Sequence, residues 1–281
     1  MTYQEANQRG KVLLEEQCIE DAAVDAWLLL EFVTGMNRTR FFVDGNKEMP
    51  KAEEEQYFAL IEQRKKRIPL QHLTGVQEFM GLEFQVNEHV LIPRQDTELL
   101  VLEAEKQLKS MEADQRQVLD MCTGSGCIAI SLKKRNPEII CHGADISEKA
   151  LETARSNAQI LDTEIDFIQT DMFTNIEGRF DIIVSNPPYI PTKVIEELEE
   201  EVRLHDPFSA LDGKEDGLYF YRILAKESPR YLKQGGWLYM EIGYDQSEAV
   251  EQLLAQTGFT QIHKEKDLAG LDRVVCGVYN K

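Results

Sequence analysis

The sequence predicts an α/β protein in which a mainly parallel sheet follows a small, all-helical N-terminal bundle. Three observations predict it. Short apolar runs alternate with helical patterns through the C-terminal part of the chain, an order that needs crossover connections and hence parallel strands. The last two apolar runs, 259–264 and 272–279, leave no room for a helix between them, and a parallel crossover takes about a dozen residues or more, so this pair is expected to be antiparallel. The opening 75 residues carry apolar side chains at helical spacing.

In the N-terminal region Val24, Trp27 and Leu28, and then Tyr57, Leu60 and Ile61, recur at i, i+3, i+4, which places each set on one helical face. Gly35 and the stretch from Gly45 to Pro50 separate the helices. The alternation in Leu82-Glu-Phe-Gln-Val86, followed by Asn87-Glu88-His89 and Val90-Leu91-Ile92, predicts a connecting hairpin. Beyond it, strands are expected near 117–121, 139–145, 164–169, 180–185 and 236–242, with helices near 126–135, 147–161, 216–233 and 246–257. This divides the chain into a helical domain over 1–78, a hairpin connector over 79–93 and an α/β domain over 94–281.

With 281 residues, 42% of them hydrophobic and 29% charged, the chain has the composition of a globular protein able to bury a sizeable core. No apolar run approaches the roughly 18 residues that span a bilayer, and Met1-Thr-Tyr-Gln-Glu lacks the order of a secretory signal, so no membrane association is expected. The five cysteines are odd in number and form no Cys-x-x-Cys pair, which favours reduced thiols in a cytoplasm over disulfides or zinc. His72, His89, His142, His205 and His263 are scattered without ligand spacing, so no metal is expected. Lys and Arg number 31 against 50 Asp and Glu, a net charge of -19 that repels a phosphate backbone and makes duplex nucleic acid a poor partner. The acidic stretch from Glu196 to Glu201 reads as a solvated helix face.

The run from Val118 to Ala129 places a strand directly before Gly124-Ser125-Gly126 and a helix directly after. Glycines there let the backbone turn sharply and approach a ligand beside the partly positive helix N-terminus. Asp145 follows at the end of the next strand, where a carboxylate can accept hydrogen bonds from ribose hydroxyls. The pair reads as a nucleoside site, although the same spacing also fits the fingerprint for a nicotinamide dinucleotide. After the third strand, Asp171 stands where a side chain can meet an adenine ring or cap a helix, and Met172 where it can pack on the base or on the core.

Asn186-Pro187-Pro188-Tyr189 comes immediately after the fourth strand, at the sheet edge that carries the glycine loop. A carboxamide nitrogen is a poor nucleophile, yet its two N–H donors can be fixed by two acceptors. The Asn186 side-chain oxygen and the Pro187 carbonyl supply them, the prolines restrict the backbone around them, and Tyr189 offers a flat face to a planar group. A nitrogen so held can be aimed at a sulfonium methyl, with proximity and orientation lowering the barrier. A rigid turn without function is the plain alternative for a Pro-Pro pair.

These residues resemble the amino-nitrogen methyltransferases with Asn/Asp-Pro-Pro-Tyr motifs, and the whole chain resembles the release-factor glutamine methyltransferases (the PrmC, or HemK, family). Pro69 to Gly75, Gly81 to Phe84, Leu91 to Glu98, and Asp206-Pro207 with Gly213 to Leu218 extend the likeness. The resemblance implies a class I, Rossmann-like methyltransferase fold of seven strands with an antiparallel last strand, behind a helical substrate-docking domain. It implies S-adenosylmethionine as methyl donor, S-adenosylhomocysteine as product, and as acceptor the glutamine amide in the Gly-Gly-Gln motif of class-1 peptide chain release factors. It also implies that Cys122, Thr123, Gly124, Ser125 and Gly126 line the methionine part of the cofactor, that Asp145 binds ribose, that Asp171 and Met172 border adenine, and that Asn186, Pro187, Pro188 and Tyr189 hold the glutamine, with Asn186 also touching the cofactor. The sequence departs from the family at Cys122, where many relatives have Gly, at Gln95, where Pro is usual, and at Met172, aromatic in some relatives. A monomer is expected.

Other readings share parts of this pattern. An adenine-N6 methyltransferase presents the same motif to an exocyclic amine, but needs a basic groove that a charge of -19 does not suggest. A ribosomal-protein glutamine methyltransferase would use identical chemistry. A nicotinamide dehydrogenase, or a nucleoside-binding adaptor without activity, leaves the Asn-Pro-Pro-Tyr motif without a role.

Overall fold

The computed structural model describes residues 1–111 and 115–280 and divides into two compact units. The first comprises Met1–Val76 together with Glu199–His205. It is built from α1 (Tyr3–Glu15), α2 (Ala22–Thr34), α3 (Arg38–Asp44), α4 (Lys51–Arg64) and α5 (Leu70–Thr74). Thr2 caps α1 by accepting from the Glu5 amide while the Glu5 carboxylate accepts from the Thr2 amide, satisfying two donors the helix cannot. Trp27, Leu29, Leu30, Tyr57 and Ile61 fill its core. Tyr57 and Ile61 are buried as expected, but Val24 is 47% exposed: the buried stripe of α2 runs through Ala22, Ala26, Leu29 and Leu30, and small alanines carry it where spacing alone favours valine. Asp25 is buried against Arg64 at 2.7 Å, and burial raises its pKa. Arg64 also meets Glu201 at 2.7 Å, while Glu196, Glu197, Glu199 and Glu200 of the same acidic stretch are exposed as expected.

The second unit comprises Gln77–Leu198 and Asp206–Lys281. A hairpin is present, but its strands are β1 (Val76–Phe79) and β2 (Leu82–Gln85), and 86–94 is irregular. Met80 and Gly81 both take positive φ, 54° and 74°, the pair of angles a two-residue hairpin turn requires, and this places the turn before Leu82 and not at Asn87-Glu88-His89. Then follow α6 (Gln95–Ser110), β3 (Gln117–Met121), α7 (Cys127–Arg135), β4 (Ile140–Asp145), α8 (Glu148–Ile160), β5 (Asp166–Gln169) and β6 (Phe180–Ser185). The short helices α9 (Thr192–Ile195), α10 (Glu200–His205) and α11 (Phe208–Leu211) precede α12 (Tyr219–Glu227), β7 (Leu232–Glu241), α13 (Ser247–Thr257), β8 (Phe259–Lys266) and β9 (Asp272–Tyr279). The helix expected to reach 233 stops at Glu227, because Pro229 lacks the N–H to continue it and a 3₁₀ turn over Ser228–Arg230 leads into the strand.

The seven strands lie in the order β5-β4-β3-β6-β7-β9-β8; β9 is antiparallel to β7 and to β8, and the remaining pairings are parallel. Alternate residues of each central strand face opposite cores. Val118, Ile182 and Val184 meet α6 and α7, while Leu119 and Ile183 meet α12 and α13. Each of these fully buried side chains adds roughly 1.5–3 kcal/mol of transfer free energy. The chain winds one way from β3 to β5 and the other way from β6, so the loops after β3 and β6 part and open a crevice at the carboxyl ends of the strands.

Candidate active site

The loop after β3 is held from below by a buried carboxylate. Asp120, fully excluded from solvent, accepts from the Thr123 hydroxyl at 2.6 Å and from the Ala129 amide at 3.1 Å, so one side chain braces the loop and caps α7. Burial raises its pKa to about 7 despite these donors. Cys122, Gly124 and Gly126 all have positive φ, 65°, 55° and 81°. A Cβ on Gly126 would lie 3.0 Å from Ile130 Cδ1 and 3.1 Å from Ala154 Cβ, so glycine there serves both the turn and the close packing of α7 on α8. Burial pushes the Cys122 thiol up, which keeps it neutral and a poor nucleophile.

Asp145, at the end of β4, accepts from the Gly124 amide at 2.9 Å with Oδ2 and from the Ser147 amide at 2.9 Å with Oδ1. Each oxygen keeps a second lone pair for a ligand. Burial raises the pKa of this carboxyl and the amide donors oppose the rise. After β5 the chain enters a turn with no helix, which removes the helix-capping reading of Asp171; that side chain is exposed. Met172, with φ 46°, is buried and belongs both to the core and to the cavity wall.

The Asn186-Pro187-Pro188-Tyr189 segment leaves the end of β6. Asn186 Nδ2 donates to Thr97 Oγ1 at 3.2 Å, and its Oδ1 has no protein partner among the described residues. The Tyr189 hydroxyl donates to Glu241 Oε1 at 3.3 Å, and its carbonyl accepts from Gln246 Nε2 at 2.9 Å. Gly213 and Gly217 back onto the Tyr189 main chain so closely that a Cβ on either would come within 2.7 and 2.4 Å of it.

These loops line one cavity of about 330 Å³, within the usual range for small-molecule clefts. Of the sequence-predicted residues, Cys122, Gly124, Asp145, Asp171, Met172, Asn186 and Pro188 line it. Thr123, Ser125, Gly126, Pro187 and Tyr189 do not; they shape the loops behind the wall. Sequence reasoning gave no site role to two parts of the wall, His89–Leu91 and a stretch including Pro207, Lys214 and Tyr219; Leu91, Pro207 and Lys214 lie in segments that carry the family likeness, but none has a spacing that points to a ligand. It also missed Thr97, Glu241 and Asn157, each buried and each bonded to a site loop; a buried polar residue is invisible until burial is known.

Residues 5–75 match the PrmC N-terminal domain, and residues 95–202 match the methyltransferase small domain. The release factor glutamine methyltransferase of Geobacter sulfurreducens is 41% identical over 94% of this chain and 92% of its own. That of Clostridium botulinum is 39% identical over 95% of each. The chain belongs to the release factor glutamine methyltransferase family. Like other members of the family it has a methyltransferase domain, and its cofactor is S-adenosylmethionine. The fold agrees: the solved methyltransferase of Pyrococcus furiosus is 15% identical with a TM-score of 0.54, covering 78% of this chain and all of that one. The ribosomal protein L11 methylase of Lactobacillus delbrueckii subsp. bulgaricus is 22% identical with a TM-score of 0.50, covering 70% and 84%. The family and this fold together establish the class I methyltransferase architecture expected from the sequence.

Proposed function

We propose that this chain methylates the side-chain amide nitrogen of the glutamine in the Gly-Gly-Gln motif of class-1 peptide chain release factors. The observation that carries the reading is Asn186: its amide nitrogen is engaged by Thr97 while its oxygen is left for a ligand at the wall of the cavity. The cavity suits the cofactor, with Asp145 lone pairs for ribose hydroxyls, Asp171 and Met172 toward the adenine, and the Cys122–Gly126 loop toward the methionine portion. Bound there, S-adenosylmethionine supplies an electrophilic methyl group and leaves as S-adenosylhomocysteine.

Asn186 Oδ1 and the Pro187 carbonyl would accept the two amide hydrogens of the glutamine and orient its nitrogen; as the N–C bond forms and the methyl–sulfur bond breaks, one of these two protons is released to solvent. The prolines hold these acceptors before the substrate arrives, so little reorganisation is needed during the reaction. The helical region 1–78 serves as the docking domain for the release factor, 79–93 as connector and 94–281 as the catalytic domain. A monomer acting in the cytoplasm, where translation factors work, fits this role; no helix among the described residues is long and apolar enough to cross a membrane.

The test offers a purified release factor, a ribosomal protein and duplex DNA to the enzyme side by side and locates the methyl group by mass spectrometry. Methylation of the release-factor glutamine is the expected result, and transfer only to the ribosomal protein or to adenine would falsify the reading. Asn186→Ala should reduce kcat by about 10²–10³-fold, as loss of one preorganised contact does elsewhere, with S-adenosylmethionine affinity changed only a few-fold.

A further inference from the structure

The Asn186-Pro187-Pro188-Tyr189 segment is fastened at both ends, and the fastening at its exit is a side chain that the proposed reaction does not use. At the entry, β6 pairs with β3 and β7 as far as Ser185, and Asn186 is held by Thr97. Neither Pro187 nor Pro188 has an N–H to donate, so the middle of the segment depends on its flanks. At the exit, the Tyr189 carbonyl accepts from Gln246, the residue that precedes α13.

Gln246 is 9% exposed, and all four hydrogen-bonding positions of its amide are taken. Nε2 donates to the Tyr189 carbonyl at 2.9 Å and to the Gly217 carbonyl at 3.5 Å. Oε1 accepts from the Gly243 amide at 3.0 Å and from the Tyr221 hydroxyl at 3.3 Å, a hydrogen that Tyr221 shares with the Glu241 carbonyl at 3.0 Å. The partners dictate the orientation: reversed, the amide would set N–H against the Gly243 N–H and oxygen against two carbonyls. The fit is close as well, since a Cβ on Gly217 would lie 2.6 Å from Nε2 and one on Gly243 2.8 Å from Oε1.

The same exit is bonded to the cavity wall. The Ile190 amide donates to the Leu211 carbonyl at 3.0 Å, the Ile190 carbonyl accepts from Gly213 at 2.8 Å, and the Thr192 amide donates to the Lys214 carbonyl at 2.9 Å. Lys214 lines the cavity, as do Ala210 before it and Tyr219 after it. Gln246 spans the two strips, holding Tyr189 with one N–H and Gly217 with the other. We propose that Gln246 is a positioning residue: by pinning Tyr189 and Gly217 to the start of α13, it fixes the direction of the Pro187 carbonyl and the spacing between the motif and this part of the wall. With φ locked at about -65° in both prolines, a pinned Tyr189 main chain leaves few rotations by which that carbonyl can turn away. This rests on the assignment of Asn186 and Pro187 as acceptors for the substrate amide.

The experiment compares wild type, Gln246→Met, Gln246→Glu and Asn186→Ala in steady-state transfer to a release factor, with calorimetric titration of S-adenosylmethionine and a thermal melt for each. Gln246→Met keeps the length of the side chain and removes both N–H donors. It should lower kcat by about tenfold to a hundredfold, the usual effect of misaligning a reacting group, while KM for the release factor and cofactor affinity change only a few-fold. Gln246→Glu supplies a readout that lost packing does not move. Protonated, its carboxyl keeps an O–H for Tyr189 and an oxygen for Gly243; ionised, it sets negative oxygen against two carbonyls. The ratio of its kcat to that of wild type should therefore rise several-fold as pH falls from about 8 to about 6, because burial beside carbonyls raises a carboxyl pKa toward that range. The charged groups around it, Glu241, Asp245 and Arg273, are common to both proteins, and burial keeps Tyr189 and Tyr221 neutral. Wild-type kcat in folded Gln246→Met, with Asn186→Ala impaired, overturns the proposal and leaves the Asn186 assignment standing; full activity in Asn186→Ala overturns that assignment itself. A flat ratio for Gln246→Glu also overturns the proposal, and it decides the matter should Gln246→Met fail to fold.

Discussion

Gly124 and Gly126 stand two residues apart in one loop, and their surroundings separate binding from folding. Gly124 has φ 55° with nothing within 4 Å of where a Cβ would stand, lines the cavity and donates its amide to Asp145. Gly126 has φ 81° and is closed in by Ile130 and Ala154. Alanine at Gly124 should cost about 1–2 kcal/mol from the left-handed backbone alone and weaken cofactor binding. At Gly126 the same backbone cost is joined by overpacking of about 1–3 kcal/mol, so urea denaturation should show the larger loss there. Equal losses at the two positions would mean that α7 shifts to accept the methyl group. Both glycines were legible in the sequence as turn formers, but which one meets the ligand was not, since it depends on helix α8 packed against the loop through Ala154, far along the chain.

Between elements, the least visible contributor is Asn157 on α8. It accepts from the Gln85 amide at 2.7 Å and donates to the Gln85 carbonyl at 3.0 Å and to the Ser125 carbonyl at 2.9 Å, joining β2, α8 and the glycine loop through one buried amide. Asn157→Ala removes a partner from the buried Ser125 carbonyl and from the amide and carbonyl of Gln85, which water can reach, and should cost about 1–3 kcal/mol, the usual penalty of one lost buried hydrogen-bond partner. Because the Ser125 carbonyl belongs to the loop proposed to hold the cofactor, a rise in the Kd for S-adenosylmethionine should accompany the fall in stability. A melt unchanged from wild type would show that water replaces the amide at no cost. The strand–helix alternation, the antiparallel terminal pair and the position of the glycine loop were all readable from periodicity and turn residues, which report local preference. The hairpin was displaced by several residues because Met80 adopts the left-handed angle that sequence assigns to Asn or Gly, and Asn157 was hidden because an asparagine inside a helix reads as a solvated residue until its neighbours are known.

Across the whole molecule, buried carboxyls decide how stability depends on pH above the acid range, with Asp25 and Asp145 raised by burial in the same direction as Asp120 and Glu241. Asp120 and Glu241 are both raised to about 7 by burial, against ordinary values near 4, so the folded chain holds protons that the unfolded chain has released. Their contribution is complete below about pH 4 and is lost as pH rises through about 7, the reverse of a paired surface carboxylate. Asp272, held low by Lys264, Lys266 and Ser247, and Asp44, Asp216 and Asp267, held low by their own donors, lose their contributions only as pH falls below the ordinary carboxylate range. Between about pH 5 and 8 the raised pair dominates, and the net charge of -19 adds self-repulsion of the same sign as further groups deprotonate. The melting temperature should therefore fall by several degrees from about pH 5.5 to pH 8, a difference of a few kcal/mol in a domain of this size. Glu241→Gln, which cannot ionise, should flatten part of that slope, whereas a melting temperature that climbs over the same interval would show that neither carboxyl keeps its proton in the folded state.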